Sequence, residues 1–185
     1  SLVSGAFLFE WKRAEEFAAP SALTTPGSKD PRQKCLPMII CVSVNLKRLF
    51  KYQQNYRWPR PTACPRCRTG GLWGHGFVLA YFDDLPAGVF LRRYRCPDCG
   101  CVIRLKPEGF FRRFQASIAT IRSSLASRLS GGRYLARISA NRQRHWLNSL
   151  VRNVTARMGN HWRDRLLNGF DRLMTCGYVP VASPI

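Results

Sequence analysis

The chain has 185 residues, 30 Lys and Arg against 10 Asp and Glu, and a formal charge of +20. That length holds one ordinary domain or two small ones, and so large an arginine excess argues for nucleic acid over mere solubility or an anionic membrane surface. No stretch approaches the roughly 18 consecutive apolar residues of a membrane span, and the amino-terminal "SLVSGAFLFEWKR" lacks the small-residue cleavage pattern of a secretory signal. A cytoplasmic protein with no membrane partner is therefore expected.

Residues 1–37 carry five basic and four acidic residues, so +1, whereas 38–185 carry 25 basic and six acidic, so +19. The stretch 18–33, "AAPSALTTPGSKDPRQ", is rich in Pro, Ser, Thr and Gly without apolar periodicity and reads as disordered. Met38 opens the first strand-like run. The expectation is that 1–37 is an extension upstream of the native product, with at most a short helix in "FLFEWKRAEEFA" (7–18).

"MIICVSV" (38–44) has the length of a strand, and "NLKRLFKYQQNYRW" (45–58) that of a short basic, aromatic helix. Together 38–60 form a lead-in, closed by "WPRPTACP" (58–65), where three prolines remove donors and fix φ. The module at 61–108 follows. Cys64-Pro-Arg-Cys67 and Cys96-Pro-Asp-Cys99 are two C-x-x-C pairs with 28 residues between them. Two residues between thiolates let one tight turn present both sulfurs to one ion, and two such turns complete a tetrahedral shell for zinc. A lone C-x-x-C fits redox chemistry, but a matched pair fits a metal. Gly100 suits the left-handed residue of such a knuckle. Between the pairs, "GLWGHGFVLAYF" (71–82) and "GVFLRRYR" (88–95) read as strands joined by "DDLPAG". The layout is a zinc ribbon, with zinc as the cofactor and its binding as the source of folding energy. His75 reads as a strand or turn histidine and Cys101 as a small residue on the outgoing strand, though either could substitute as a ligand. Cys41 reads as a small core residue; Cys35 and Cys176 suggest no role.

"RRYRCPDCGCVI" resembles the second knuckle in the amino-terminal zinc ribbons of bacterial insertion-element transposases. Arg92, Arg93, Tyr94, Arg95, Cys96, Cys99, Gly100, Val102 and Ile103 carry the resemblance, and Cys101 departs from it, standing where that family more often has a basic or polar residue. The resemblance covers 60–108 and implies a helix-turn-helix after the ribbon, DNA as the partner, a mobile-element role, and a homodimer or a separate transposition partner.

After Pro107 the pattern turns helical. Phe110, Phe114, Ile118, Ile121, Leu125 and Leu129 form one stripe at the helical period, ended by "SGG" (130–132). "RYLARI" (133–138), "SAN" (139–141) and "RQRHWLNSLVRNVTARM" (142–158) can be read as first helix, turn and second helix of a helix-turn-helix, with Ser139 or Asn141 as cap. A last helix, "HWRDRLLNGFDRLM" (161–174), turns Leu166, Leu167, Phe170, Leu173 and Met174 inward. Trp146 and Trp162 read as packing residues. The helical part thus spans 109–176, and a tail, 177–185, is expected to fray. The fold class is α+β: a zinc-ribbon β-hairpin module followed by a basic helical bundle.

In a helix-turn-helix the start of the second helix reads bases. Asn141, Arg142, Gln143, Arg144, His145 and Asn148 have the chemistry for it, since Arg pairs with guanine and Asn or Gln with adenine. The alternative is a solvated basic face on an ordinary bundle. Arg92, Arg93, Arg95, Arg104, Arg112 and Arg113 form a second set suited to phosphates. No catalytic residues are expected. From residue 38 onward the acids are Asp83, Asp84, Asp98, Glu108, Asp164 and Asp171, and none has the setting of a two-metal carboxylate site. RNA binding is the competing reading, kept open by Tyr52, Tyr56, Trp58 and Trp73, and a protein-interaction adaptor is a third.

Overall fold

The computed structural model describes residues 38–182. The expectations for 1–37, including the short helix at 7–18 and any role for Cys35, lie outside the described residues.

Strand β1 (Met38–Val42) leads through Asn45 into helix α1 (Leu46–Tyr52), whose first turn is capped by the Asn45 side chain accepting from Arg48 N–H at 3.0 Å. A one-turn 3-10 segment, Gln53–Asn55, follows and is tied to the hairpin end by Gln53 Nε2 donating to the Gly88 carbonyl. The ribbon strands are β2 (Trp73–Ala80), β3 (Val89–Arg95) and β4 (Val102–Pro107). Their sheet runs β1-β4-β3-β2, with β1 parallel to β4 and the other pairings antiparallel. The lead-in strand thus joins the ribbon as a fourth strand, a pairing between residues more than sixty apart that local pattern could not indicate.

Cross-strand register assigns the sheet's two faces. Tyr94 lies opposite Ile103, and Ile103 opposite Met38. These residues, with Leu105, form one face, packed with Leu72, Cys64, Cys96 and Cys101. On the other face, Val89 and Leu91 pack with Leu49, Phe82 and Phe110 in a separate cluster near the hairpin turn. Alternation in β3 serves both clusters because its two faces are each buried over a different part of its length.

The helical bundle consists of α2 (Ile118–Gly131), α3 (Ala140–Met158) and α4 (Leu166–Thr175), with a 3-10 segment at Asn160–Arg165. Ile121, Leu125, Trp146, Leu150, Val154, Phe170 and Leu173 are the centre of its core, and Trp162 packs against it. Gly132, at φ 64°, closes α2 in the left-handed conformation that favours glycine.

The last helix, expected over 161–174, begins only at Leu166, since Asn160–Arg165 is a 3-10 segment. Further expectations are corrected as follows. The apolar stripe from Phe110 predicts a helix eight residues too early. Lys106, buried, donates through Nζ to the carbonyls of Phe111, Arg112 and Phe114. This convergence holds 111–114 as a loop, in which the Phe111 carbonyl also accepts from Phe114 N–H at 3.0 Å. Ser117 then caps α2 by accepting from Thr120 N–H at 3.2 Å. Leu129, at the other end of that stripe, is 42 % exposed. "RYLARI" is not a helix: 133–138 is an irregular loop whose Leu135 and Ile138 carbonyls accept from the Gln143 side chain. The short-turned helix-turn-helix read at 133–158 is therefore absent, and α2 and α3 are joined by residues 132–139 instead. The tail does not fray through Ala182. Val181 is fully buried in the bundle core, and Asn153 Nδ2 donates to the Pro180 and Ala182 carbonyls, each at 2.8 Å.

Among the described residues no helix is long and apolar enough to cross a membrane.

Candidate metal centre and nucleic-acid interface

The two C-x-x-C sequences fold into the same turn. In the first, Cys64 N–H donates to the Thr69 carbonyl and Arg68 N–H to the Cys64 carbonyl, both at 2.8 Å. In the second, Cys96 N–H donates to the Cys101 carbonyl at 3.0 Å and Gly100 N–H to the Cys96 carbonyl at 3.1 Å. The residue after each second cysteine is left-handed: Gly100 at φ 68° and Arg68 at φ 61°. A side chain there costs about 1 kcal/mol, so the first knuckle holds Arg68 against its own preference. Only Gly100 is conspicuous in the sequence; aligning the two knuckles position by position is the signal that finds Arg68.

These turns bring the sulfurs of Cys64, Cys67, Cys96 and Cys99 within 4.8 Å of one another, a cluster that can hold a metal ion. Cys64 and Cys99 Sγ are 3.6 Å apart, and Cys67 and Cys96 Sγ 3.4 Å. Each close pair takes one sulfur from each knuckle, so the cluster cross-links the two ends of the ribbon. Cys64 and Cys96 are buried, whereas Cys67 is exposed. Hydrogen bonds from the Thr69 side chain and backbone draw the Cys67 thiol down to about 6, while burial pushes Cys99 up to about 12. A cation held by the cluster would favour the thiolate form of its ligands.

Cys101 stays outside the cluster. Its side chain is 1 % exposed among Leu72, Tyr94, Ile103 and Leu105, and its Sγ points to the Val102 carbonyl. Cys101 lies immediately before β4 and not on that strand. His75 also lies outside the cluster, in β2. Cys41, read as a core residue, is exposed instead, because it falls on the open side of β1.

The arginines expected to contact phosphate divide between the sheet's faces. Arg92 lies on the buried face, its guanidinium 4.7 Å from the Phe77 ring centroid and 5.7 Å from that of Tyr94. It also occupies the space beside Gly74, where a Cβ would collide with it. Arg93, Arg95 and Arg104 lie on the opposite face: Arg93 pairs across strands with Arg104, and Arg95 with Trp73. Arg112 and Arg113 are exposed in the loop after β4, where the Arg112 carbonyl accepts from Lys106.

The six α3 residues also divide. Asn141, Arg144, His145 and Asn148 are exposed, with Arg144 donating to Asn141 Oδ1 at 3.2 Å. Arg152, which sequence reasoning missed, extends this face by a turn; the spacing 141, 144, 145, 148, 152 is its signal. Gln143 does not belong to it. The side chain is 1 % exposed, its Oε1 accepts from Ser124 Oγ at 2.6 Å and Leu135 N–H at 2.9 Å, and its Nε2 donates to the Leu135 and Ile138 carbonyls. All its hydrogen-bonding capacity is used inside the fold, so it has none for an adenine edge. Arg142 is paired with Asp83 of the β2–β3 turn, at 2.6 Å for the closer contact, and its guanidinium sits 5.2 Å from the Trp146 ring centroid.

Of the aromatics, Trp58 and Tyr56 are packed edge to face with ring centroids 5.4 Å apart, Tyr52 is 44 % exposed, and Trp73 is 63 % exposed. The acids are dispersed: Asp83 with Arg142, Asp171 with Arg122, Asp84 accepting from Thr120 Oγ1.

Beside this geometry, comparison with known proteins adds no relative: no family model, no curated protein and no solved structure matches the chain.

Proposed function

We propose that this chain is a zinc-dependent nucleic-acid-binding protein without catalytic activity of its own, and that it binds duplex DNA through the exposed face of α3. Zinc is favoured by the donor set. Four thiolates are the soft ligands of a closed structural site, and Zn–S bonds of about 2.3 Å in a tetrahedron place sulfurs about 3.8 Å apart. The two close Sγ pairs, at 3.4 and 3.6 Å, need only a small expansion to accept the ion.

The observation that carries the DNA reading is the face formed by Asn141, Arg144, His145, Asn148 and Arg152. It holds three turns of helix with base-edge and phosphate donors and no carboxylate. Arginine suits guanine and asparagine suits adenine in a major groove, which is wide enough for a helix. The region 38–185 adds +19 of charge for the sequence-independent part of affinity. A mobile-element role rests on the second knuckle's resemblance to transposase ribbons.

The test is fluorescence anisotropy of the zinc-loaded chain with labelled duplexes, titrated with salt. Replacing Arg144 and Asn148 with alanine should change the ranking of duplex sequences as well as the affinity, whereas replacing Arg112 and Arg113 should weaken all duplexes alike. Uniform losses from both pairs would overturn the assignment of sequence reading to α3.

A further inference from the structure

Across β2, β3, β4 and β1, the end of the sheet nearest the sulfurs carries two side-chain rows on its open face. One row is Trp73, Arg95 and Val102; the other is Arg93, Arg104 and Ile39. Strands about 4.8 Å apart make each row roughly 10 Å long. None of the six is buried, and none is acidic. The β3 and β4 rows therefore set two arginines directly opposite each other, an arrangement that destabilises a sheet unless something negative lies over it. Asp83 and Asp171, the acids that do form ion pairs among the described residues, form them elsewhere, with Arg142 and Arg122.

Two further features single this face out. Arg93 Nε is buried and has no hydrogen-bond partner, so even the half-covered stem of that guanidinium is unsatisfied within the fold. Among the described residues Trp73 is the most exposed of the large apolar side chains, at 63 %. The other face cannot play this part, since Arg92 there is stacked on Phe77 and Tyr94.

We infer that this face binds single-stranded nucleic acid, with one base stacked on Trp73 and phosphates held by Arg93, Arg95 and Arg104. A flat exposed indole beside unpaired guanidinium groups matches a base and its neighbouring phosphates, and every base has a π-face to offer. A duplex keeps its bases stacked inside and leaves the indole nothing to stack on. RNA and DNA single strands share this chemistry. The inference rests on the nucleic-acid reading above but assigns a different surface, a different strand state and different residues from α3.

The zinc-loaded full chain should be titrated with labelled oligouridine, oligothymidine and a mixed-sequence duplex, each about a dozen nucleotides long, within the range that one small domain covers. Trp73→Ala should lower single-strand affinity about tenfold or more, Trp73→Phe should restore most of it, and both should leave duplex affinity unchanged. Arg93→Ala and Arg104→Ala should each reduce the single-strand salt slope by about 0.7. Trp73 is exposed, so retained zinc stoichiometry confirms that its variants are folded. A stronger effect on oligouridine or on oligothymidine supports the inference and identifies the natural strand. Single-strand binding that is indifferent to Trp73→Ala, or duplex binding alone, overturns it while leaving the α3 reading intact. Wild-type chain that binds none of the three overturns the nucleic-acid reading, and this inference with it.

Discussion

The ribbon and the helical bundle are both strongly basic, yet they are held together by different means. The bundle core gathers twelve buried side chains, including Trp146, Phe170, Ile121 and Leu150, each large one contributing about 1.5–3 kcal/mol by leaving water. The cluster beneath the ribbon sheet has seven buried members, and three are Cys64, Cys96 and Cys101. Its sheet also brings Arg93 against Arg104. The other face adds five buried side chains near the hairpin turn, Leu49, Phe82, Val89, Leu91 and Phe110, so it is the sulfur end of the ribbon that has little apolar material. There an ion held by the four sulfurs would contribute most, whereas the bundle depends on packing throughout. At that end the sheet keeps one face open around Trp73, Arg93, Arg95 and Arg104; packing in the bundle uses up faces, as Gln143 and Trp146 demonstrate.

The largest expected effect follows from removing the zinc proposed above. Binding energy of a structural zinc site is folding energy, on the order of 10 kcal/mol or more. Chelation, or Cys96→Ser, should abolish hydrogen-exchange protection in β2, β3 and β4. Amides of α3 and α4 should stay protected. Loss of protection in both regions together would show that the bundle leans on the ribbon, and the contrast drawn above would fail.

The converse perturbation is Gln143→Leu. It leaves the Leu135 N–H, the Leu135 and Ile138 carbonyls and Ser124 Oγ without their buried partner. Unsatisfied buried groups cost about 1–3 kcal/mol each, moderated by relaxation, so a loss of about 2–4 kcal/mol is expected in denaturant unfolding followed by helical circular dichroism. The metal affinity of the ribbon should not change. A variant that weakened metal binding equally would mean that the two regions fold as one unit.

The sequence discloses the two parts unevenly. Knuckles are local: two cysteines, two residues apart, determine a turn whose bonds close within five residues, so Cys64, Cys67, Cys96 and Cys99 are legible. Helical stripes are equally local, and α4 follows its stripe from Leu166 onward. What stays hidden depends on distant partners. Phe110 and Phe114 continue the stripe of α2, but Lys106 gathers the carbonyls of Phe111, Arg112 and Phe114 into a loop. Gln143 has the composition of a DNA-reading residue and the environment of a core residue, which only the folded loop 133–138 supplies. Asn153, unremarkable in sequence, holds the tail. The separation of Arg92 from Arg93 is legible, since neighbours in a strand point to opposite faces; which face is covered at which end follows from partners that alternation leaves open.

The smallest effect is expected where the two regions touch. Arg142 and Asp83 form a two-point ion pair, Nη1 to Oδ1 at 3.1 Å and Nη2 to Oδ2 at 2.6 Å, with side chains 33 % and 23 % exposed. Partly solvated pairs contribute about 0.5–1 kcal/mol, and a double-mutant cycle with Arg142→Ala and Asp83→Ala should return a coupling of that size. The pair also fixes the start of α3 against the hairpin turn, so its removal bears on binding as well. Asp83→Asn deletes one of six negative charges in 38–185 and releases Arg142 beside Asn141 and Arg144. Duplex affinity should rise a few-fold, about 1 kcal/mol or less by the same scale, and the gain should shrink as salt screens the freed charge. A fall in affinity would mean that the docked position of α3 matters more than the extra guanidinium, which would make the hairpin part of the duplex-binding apparatus and not merely its neighbour.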